Sequence, residues 1–438
     1  MVKQYFNDGI CRCGKVHSAA VDDVIIGKGA IGRLMFFIQK YGTKKPFLLS
    51  DRNTFVAAGE KVCQILDKNN LPYTSYSFPD EHLEPDETAV GSAVMHFDPS
   101  CDLIIGIGSG VINDIGKILS NITGKKYIIV ATAPSMDGYA SATSSMSMDG
   151  LKVSLNSRCA DVIIGDTDIL KNAPIHMLKS GLGDMLAKYV SIAEWRIAHI
   201  ITGEYYCECV AQLIRSALKK CVDNADGLLK RDEKAVEAVF EGLVIGGLAM
   251  AYAGVSRPAS GVEHYFSHIW DMRGLEFGTK VDLHGIQCAL GTLQAVKLYE
   301  KIKKYTPDQK RAEDYVCNFS FDNWKTELKD FLGNSAKTMI AQEQKEQKYD
   351  KSTHPARYAI IEKNWSTILN ILEEELPTYQ QISQILKTIG ISQDLASIGV
   401  DRETARRTFK TTKDIRDKYV LSRLAWDLGV LDELCEVL

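Results

Sequence analysis

The sequence predicts an α/β protein: an N-terminal domain built on a parallel sheet, then a C-terminal domain made only of helices. Three observations carry this. Short β-rich runs alternate with helical patterns as far as residue 166. From about Ala173 the period is helical, with only scattered Gly and Pro. Within the first regime, DLIIGIGSGVINDIGK at 102–117 reads as a strand running through a glycine-rich turn into a helix.

In chain order, DVIIG (23–27) precedes the helical GAIGRLMFFIQKYG, and PFLLSD (46–51) precedes TFVAAGEKVCQILDKNN. YTSYSF, CDLIIGIG, KYIIVAT and ADVIIGD (160–166) follow as further strands. Strands separated by helices imply a parallel sheet that binds ligands at the carboxyl ends of its strands. The expected domains are therefore 1–172 and 173–438. Within the second, AQEQKEQKYDKSTHPARY (341–358) reads as a solvated connection or insertion, or equally as an exposed helix face. LVIGGLAMAYAGV (243–255) falls short of a membrane span and reads as a core helix.

A chain of 438 residues with a net charge of −4 and mixed signs has enough apolar content for two cores and no broad basic field. Nucleic acid and anionic membranes are thereby excluded as partners. The start MVKQYFNDGICRCGK lacks the apolar core of a signal peptide, and eleven scattered cysteines fit reduced thiols in the cytoplasm.

The glycine turn is not the dinucleotide fingerprint G-x-G-x-x-G, because Val111 stands where the third glycine is needed. Gly106, Gly108 and Gly110 still let backbone N–H groups approach a pyrophosphate, with Ser109 as a hydroxyl donor. Such turns also serve tight packing alone. Asp51, ending its strand, is placed to accept ribose hydroxyls, although it precedes the loop instead of following it. Asp114 and Lys117 form either a surface i,i+3 pair or a group near phosphate or nicotinamide.

In the helical half, Asp184 lies in SGLGDMLAKYVSIAEW, where its plain role is to favour a helix N-terminus. His264 and His268 are four apart and share a helix face, and His284 opens another helix. Two histidines and a carboxylate with an open position make a catalytic zinc pattern, and nickel or iron suits the same donors. Satisfied structural histidines are the alternative. For an anionic substrate group, Lys188, one turn after Asp184, and Arg257 are candidate cations; each is otherwise a solvated surface charge.

Taken together, GIGSGVINDIGK, ATAPSMDGYASATSSM, GLGD, SGVEHYFSH and LHG resemble the superfamily of polyol and iron-containing alcohol dehydrogenases and 3-dehydroquinate synthase. Within it, APSMDGYAS, SRPASGVEH and IRDKYVLSRLAWDLG are most similar to the sn-glycerol-1-phosphate dehydrogenases. The resemblance implies a dehydroquinate synthase-like fold: a Rossmann-like NAD(P)-binding domain followed by a helical metal- and substrate-binding domain. It implies Asp184, His264 and His284 as metal ligands and His268 as a residue behind them or on the substrate. Asp51, Gly108, Ser109, Thr132 and Ser135 would contact the nucleotide, and Asp137 would face substrate and nicotinamide. Ile107 departs from a glycine common in the family. Asp137 has a plain alternative as an Asx-type cap before Gly138.

The implied activity is metal-dependent, reversible hydride transfer between NAD(P)H and a phosphorylated triose, dihydroxyacetone phosphate, in a cleft between the domains, and a homo-oligomer is expected. The rivals are a dehydrogenase for glycerol or another free polyol, a 3-dehydroquinate synthase-like cyclase, and a non-catalytic nucleotide-binding sensor. Asp51 favours NAD, while Arg52 is placed to accept the 2′-phosphate of NADP. CRCGKVH offers Cys11, Cys13 and His17, three ligands where structural zinc wants four, so a reduced hairpin is the plainer reading.

Overall fold

The computed structural model describes residues 9–80, 82–148 and 151–438. The first eight residues, part of the segment read above as lacking a signal peptide, lie outside them. Two compact units emerge. The first comprises the chain up to Met185 together with Cys209–Val255, and the second comprises Leu186–Glu208 and Ser256–Leu438. The division is thus not a single cut after residue 172: the periodicity of a helix says that it is helical but not which core it covers.

The first unit holds six parallel strands: β1 Asp23–Gly27, β2 Pro46–Asp51, β3 Thr74–Phe78, β4 Leu103–Gly108, β5 Lys126–Ala131 and β8 Val162–Asp166. All six lie where the sequence placed them. Their order is β1-β8-β5-β4-β2-β3. From β2 the chain winds outward to β3, and from β4 it winds the opposite way to β5. The strand order therefore reverses between β2 and β4, and the crevice outside their carboxyl ends is where open α/β sheets bind ligands. Asp51 ends one of these strands and Gly108 the other.

Strand β4 is buried along its whole length and reads LIIGIG, the continuous apolar run of a strand covered on both faces. One core joins Leu103, Ile105 and Ile107 to Leu34, Phe37, Val62 and Leu66 of the covering helices. β6 Thr143–Met148 and β7 Leu151–Asn156 form an antiparallel hairpin that the sequence reading missed. Its serine-rich first strand, TSSMSM, carries little of the Val, Ile and aromatic content that marks strands.

Two long helices from the later sequence belong to this unit. Glu233–Ala253 is the one described helix long and apolar enough to cross a membrane, and 78% of its most apolar window is buried in the protein, as a core helix should be. Its Phe240 packs where a Cβ on Gly165 of β8 would stand, 2.1 Å away.

The second unit is built of helices and the segments that join them, with no strand among its described residues. The polar stretch 341–358 is not a solvated connection. Glu343, Tyr349, His354 and Tyr358 are buried there, and Tyr349 packs against Phe319, Trp324 and Trp426. Composition misled because each helix in the stretch exposes most of its residues and anchors through a few.

Candidate functional site

In the first unit the glycine turn launches the helix Gly110–Thr123 directly from β4, with Ser109 at its N-cap. Ser109 does not cap the helix with its side chain. Its Oγ lies 2.6 Å from Ser135 Oγ and accepts the Tyr139 hydroxyl at 3.1 Å. The first-turn N–H groups keep the anion-binding disposition of a helix N-terminus. The three glycines differ in their reasons. A Cβ on Gly108 would meet Ile112 at 2.5 Å, which is turn geometry. One on Gly106 would stand 2.3 Å from the Tyr127 hydroxyl, so this glycine admits a buried tyrosine, and Gly116 does the same from the helix. A Cβ on Gly110 would only touch Met136, at 3.4 Å.

Asp51 is half-buried and caps a short turn: Oδ1 accepts the Thr54 N–H at 2.8 Å, and the Asp51 N–H donates to Thr54 Oγ1 at 3.0 Å. Arg52 beside it is exposed.

Asp114 and Lys117 are not a surface pair. Their groups lie 2.8 Å apart with Lys117 fully buried, and Lys117 Nζ donates to the carbonyls of Gly138 and Thr143 at 3.3 and 2.5 Å. A buried ammonium must find such partners. It is therefore committed to holding the segment that follows Asp137, with Asn113 Nδ2 donating to the same Gly138 carbonyl at 3.1 Å.

That segment is positioned with little slack. Thr132 N–H donates to Gly108 O at 3.0 Å, and Ser180 Oγ donates to Ser135 O at 2.9 Å. A Cβ on Gly181 would stand 1.9 Å from Pro134 O, so the helix Ile175–Leu186 passes against the turn at the closest range a backbone allows. The Asx-type role for Asp137 is not realised, since its side chain makes no capping bond to the turn Gly138–Ala140. Instead the Asp137 N–H donates to Asp184 Oδ2 at 2.9 Å.

Asp184 overturns its plain reading as well. The helix begins at Ile175, so Asp184 lies near its C-terminal end, where the helix dipole disfavours a carboxylate, and it is fully buried. Lys188 is not on that helix: a break at Ala187 separates them, and Lys188 opens the helix Lys188–Thr202. Lys188 is no solvated surface charge either, being fully buried with Nζ donating to Ala259 O at 3.1 Å.

In the second unit the helices Val262–Phe277 and His284–Ile302 bring three histidines together. Ring centroids are 5.1 Å apart for His264 and His284, 6.1 Å for His268 and His284, and 6.4 Å for His264 and His268. His264 Nδ1–H donates to Glu263 Oε1 at 2.8 Å, which makes Nε2 the lone-pair nitrogen. This carboxylate behind an imidazole is the usual support of a metal-binding histidine. Ser267 Oγ lies 3.2 Å from His284 Nδ1, and Cys288 Sγ lies 3.5 Å from His284 Nε2. The ligating atoms of His264, His284 and Cys288 fall within 4.8 Å of one another. The donors present thus suit a borderline divalent metal. Burial, then the charges of Arg416, the neighbouring histidines and Lys418, holds the His268 pKa well below the usual histidine value.

The two cations near His268 were missed because they lie about 150 positions away in the sequence, within IRDKYV. Lys418 is buried, donates to Ser260 O at 2.7 Å and is pushed down to about 7 by burial and by Arg257 and Arg416. Arg257, by contrast, has its fork taken. Its guanidinium grips Glu204 through Nε at 2.7 Å and Nη2 at 2.5 Å, and Nη1 donates to Tyr419 O at 2.9 Å.

With this geometry in view, the comparisons with known proteins agree. Residues 25–174 match the model of the iron-containing alcohol dehydrogenase family. The glycerol-1-phosphate dehydrogenase [NAD(P)+] of Halalkalibacterium halodurans is 32% identical over 66% of this chain and 74% of its own. That of Geobacillus stearothermophilus is 27% identical over 93% and 92%. The structure of glycerol dehydrogenase from Schizosaccharomyces pombe superposes with a TM-score of 0.61 at 16% identity, covering 95% of this chain and 90% of its own, which speaks for the fold. A nucleotide cradle at the reversal of a parallel sheet, histidines set for a metal and relatives of this kind lead to one conclusion: the chain belongs to the glycerol-1-phosphate dehydrogenase family of NAD(P)-dependent, iron-containing-type alcohol dehydrogenases.

Proposed function

We propose that this enzyme reversibly reduces dihydroxyacetone phosphate to sn-glycerol 1-phosphate with NAD(P)H. The observation that carries the choice of a phosphorylated substrate is the match to relatives named glycerol-1-phosphate dehydrogenase, and Arg416 and Lys418, whose charges bear on His268, are the cations proposed to meet the phosphate. A free polyol gives such cations nothing to neutralise, whereas a phosphate does.

Asp184, His264 and His284 are the proposed ligands, with zinc as the metal that best suits two imidazoles and a carboxylate, and nickel or iron as the others that fit. When bound, the nicotinamide exchanges hydride with the substrate and the metal polarises the ketone. The remaining work falls to the chain. Glu263 fixes the His264 tautomer through Nδ1, and Ser267 steadies His284. His268, its pKa held well below the ordinary histidine value, works as a neutral imidazole that accepts a proton at a ring nitrogen in the alcohol-to-ketone direction and returns it in the other. Asp137 is proposed to face the substrate, with Asp184 holding its backbone in place.

In the first unit, Asp51 is proposed to take the adenosine ribose and Gly108, Ser109 and Gly110 the pyrophosphate at the helix N-terminus, with Thr132 and Ser135 lining the turn opposite. Gly106 and Asp114 support this cradle from behind, through Tyr127 and Lys117 respectively. Lys188 and Arg257 then act on substrate only indirectly, by holding the Ser256–Gly261 segment through Ala259 and through the Glu204 pair. Cysteine thiols with no disulfide among them fit a reducing compartment, the cytoplasm, and a homo-oligomer completes the proposal.

The test is steady-state oxidation of NADH and NADPH with dihydroxyacetone phosphate against dihydroxyacetone, on metal-loaded and chelated enzyme. Metal-dependent turnover of the phosphorylated ketone is expected. Turnover of the free ketone alone would assign a polyol dehydrogenase, and none with either would favour the cyclase or the sensor.

A further inference from the structure

The first unit contains a second cluster of ligating groups that the proposed reaction does not use. Cys11, Cys13 and His17 converge so that their ligating atoms lie within 4.8 Å of one another, and Cys13 Sγ is 3.3 Å from His17 Nε2. For comparison, a tetrahedron with zinc–sulfur bonds of about 2.3 Å has edges of about 3.8 Å.

The local backbone is shaped for this convergence. Cys11 N–H donates to Lys15 O at 2.9 Å and Gly14 N–H donates to Cys11 O at 2.8 Å, closing a tight reverse turn. Gly14 has φ +84°, a conformation that the turn requires and that other residues rarely adopt. The turn brings both thiols of the C-x-C pair round toward His17.

His17 is buried, and its Nδ1–H donates to the Tyr252 carbonyl at 2.8 Å. That bond fixes the tautomer with the lone pair on Nε2, the nitrogen that faces Cys13. A backbone carbonyl orienting an imidazole from behind is the arrangement that metal-binding histidines use. A fourth donor is at hand from a distant part of the sequence. Cys209 of the helix Glu208–Asp223 makes a side-chain hydrogen bond with Cys11, and Cys207 stands two residues before it in a second C-x-C pair.

We propose that the first unit binds a structural, thiophilic divalent metal, with zinc as its natural occupant. Its ligands are Cys11, Cys13, His17 and the thiolate of Cys209, which belongs to the same unit. Three thiolates and one imidazole form a closed tetrahedral set with no position left for substrate, so the site is structural and independent of the catalytic metal. On loading, each of the three thiols gives its proton to solvent as its sulfur–metal bond forms, and the hydrogen bond between Cys13 and His17 is replaced by two bonds to the metal. The metal would fasten the start of the described chain to the segment that opens the helix Glu208–Asp223.

The test uses the full-length chain stripped by chelation and titrated with cobalt(II). Near-ultraviolet thiolate-to-cobalt charge-transfer absorption is expected at one equivalent. It should vanish in Cys11→Ser and Cys13→Ser and persist in Cys288→Ser, which separates this site from the histidine cluster. Total zinc should fall from two per chain to one in Cys13→Ser. Loss of the absorption in Cys209→Ser identifies the fourth ligand; if that variant binds cobalt as tightly as the native chain, the four-ligand assignment falls. In case the serine variants do not fold, the native protein supplies its own control. Alkylation of Cys11 and Cys13, read by mass spectrometry, should be blocked in the zinc-loaded protein and released by chelator. Equal labelling with and without chelator, or a disulfide among these cysteines, would overturn the proposal.

Discussion

Asp137 donates its backbone N–H to the carboxylate of Asp184 at 2.9 Å, so the residue proposed to face substrate and a proposed metal ligand are fixed to each other within one unit. The bond orients Asp184 Oδ2 in a buried place where the helix dipole works against it. Asp184→Asn keeps an acceptor for Asp137 but removes the charge. Metal affinity should drop by about 100-fold or more, with turnover falling in step, while the folded structure by circular dichroism stays as it is. An asparagine variant that retains metal with native affinity would remove Asp184 from the ligand set.

Arg416 and Arg257 should part company when tested. In Arg416→Ala, KM for dihydroxyacetone phosphate is expected to rise by about 10- to 100-fold, the worth of a charge-assisted hydrogen bond, with any turnover of free dihydroxyacetone unchanged. Arg257→Ala removes the partner of the half-buried Glu204 and the donor to Tyr419 O, and should cost about 1–3 kcal/mol in urea denaturation. An equal loss for both ketones in Arg416→Ala would show that its charge does not meet the phosphate.

The pair Glu194 and Glu263 sets a pH dependence. Glu194 is buried, with Oε1 accepting from Tyr299 Oη and Leu421 N–H and Oε2 accepting from Val262 N–H, and its pKa is raised from 4.5 to about 8 by burial and then by Glu263. The folded protein thus holds a proton that the unfolded chain releases above about 4.5. Stability is then fully present below that value and is lost as pH rises toward 8. In chelated protein, the urea midpoint should fall between pH 5 and 8 beyond what other groups cause, and Glu194→Gln should flatten that fall. A variant with the same slope as the native chain would place the proton elsewhere.

Asp51 has two duties, and both can be measured. Asp51→Ala removes the helix cap to Thr54, at a cost of about 1 kcal/mol. It also removes the charge that repels a 2′-phosphate while leaving Arg52 in place, so the ratio of kcat/KM for NADPH to that for NADH should rise. A lost cap with an unchanged ratio would mean that Asp51 does not meet the ribose.

Some of this was legible in the sequence and some was not, for physical reasons. Most of the parallel strands are apolar runs ending in turns, and a run such as LIIGIG has few other ways to be buried; β3, TSYSF, was legible instead from its β-rich composition. His264, His268 and His284 were legible because helical spacing and the start of a helix are local properties. Glu263 was not read as the support of His264, although it is the adjacent residue, because direction on a helix does not tell which neighbour turns back. Arg416, Lys418 and the thiol of Cys209 stayed hidden because only folding brings segments that far apart to one place. Lys117 and Arg257 show the converse: charges that read as surface or substrate groups prove buried and already committed.

Because the chain leaves the first unit after Met185, returns at Cys209 and departs again after Val255, no single cut releases either unit whole. The order of synthesis has a consequence too. Strand β8 emerges from the ribosome some seventy residues before Phe240, the ring that fills the space over its Gly165. The sheet must therefore wait, part of its surface open to water, until the helix Glu233–Ala253 arrives. A nascent chain stalled near residue 200 should be a strong client for chaperones that bind apolar surface, and one stalled well past Val255 a weak one.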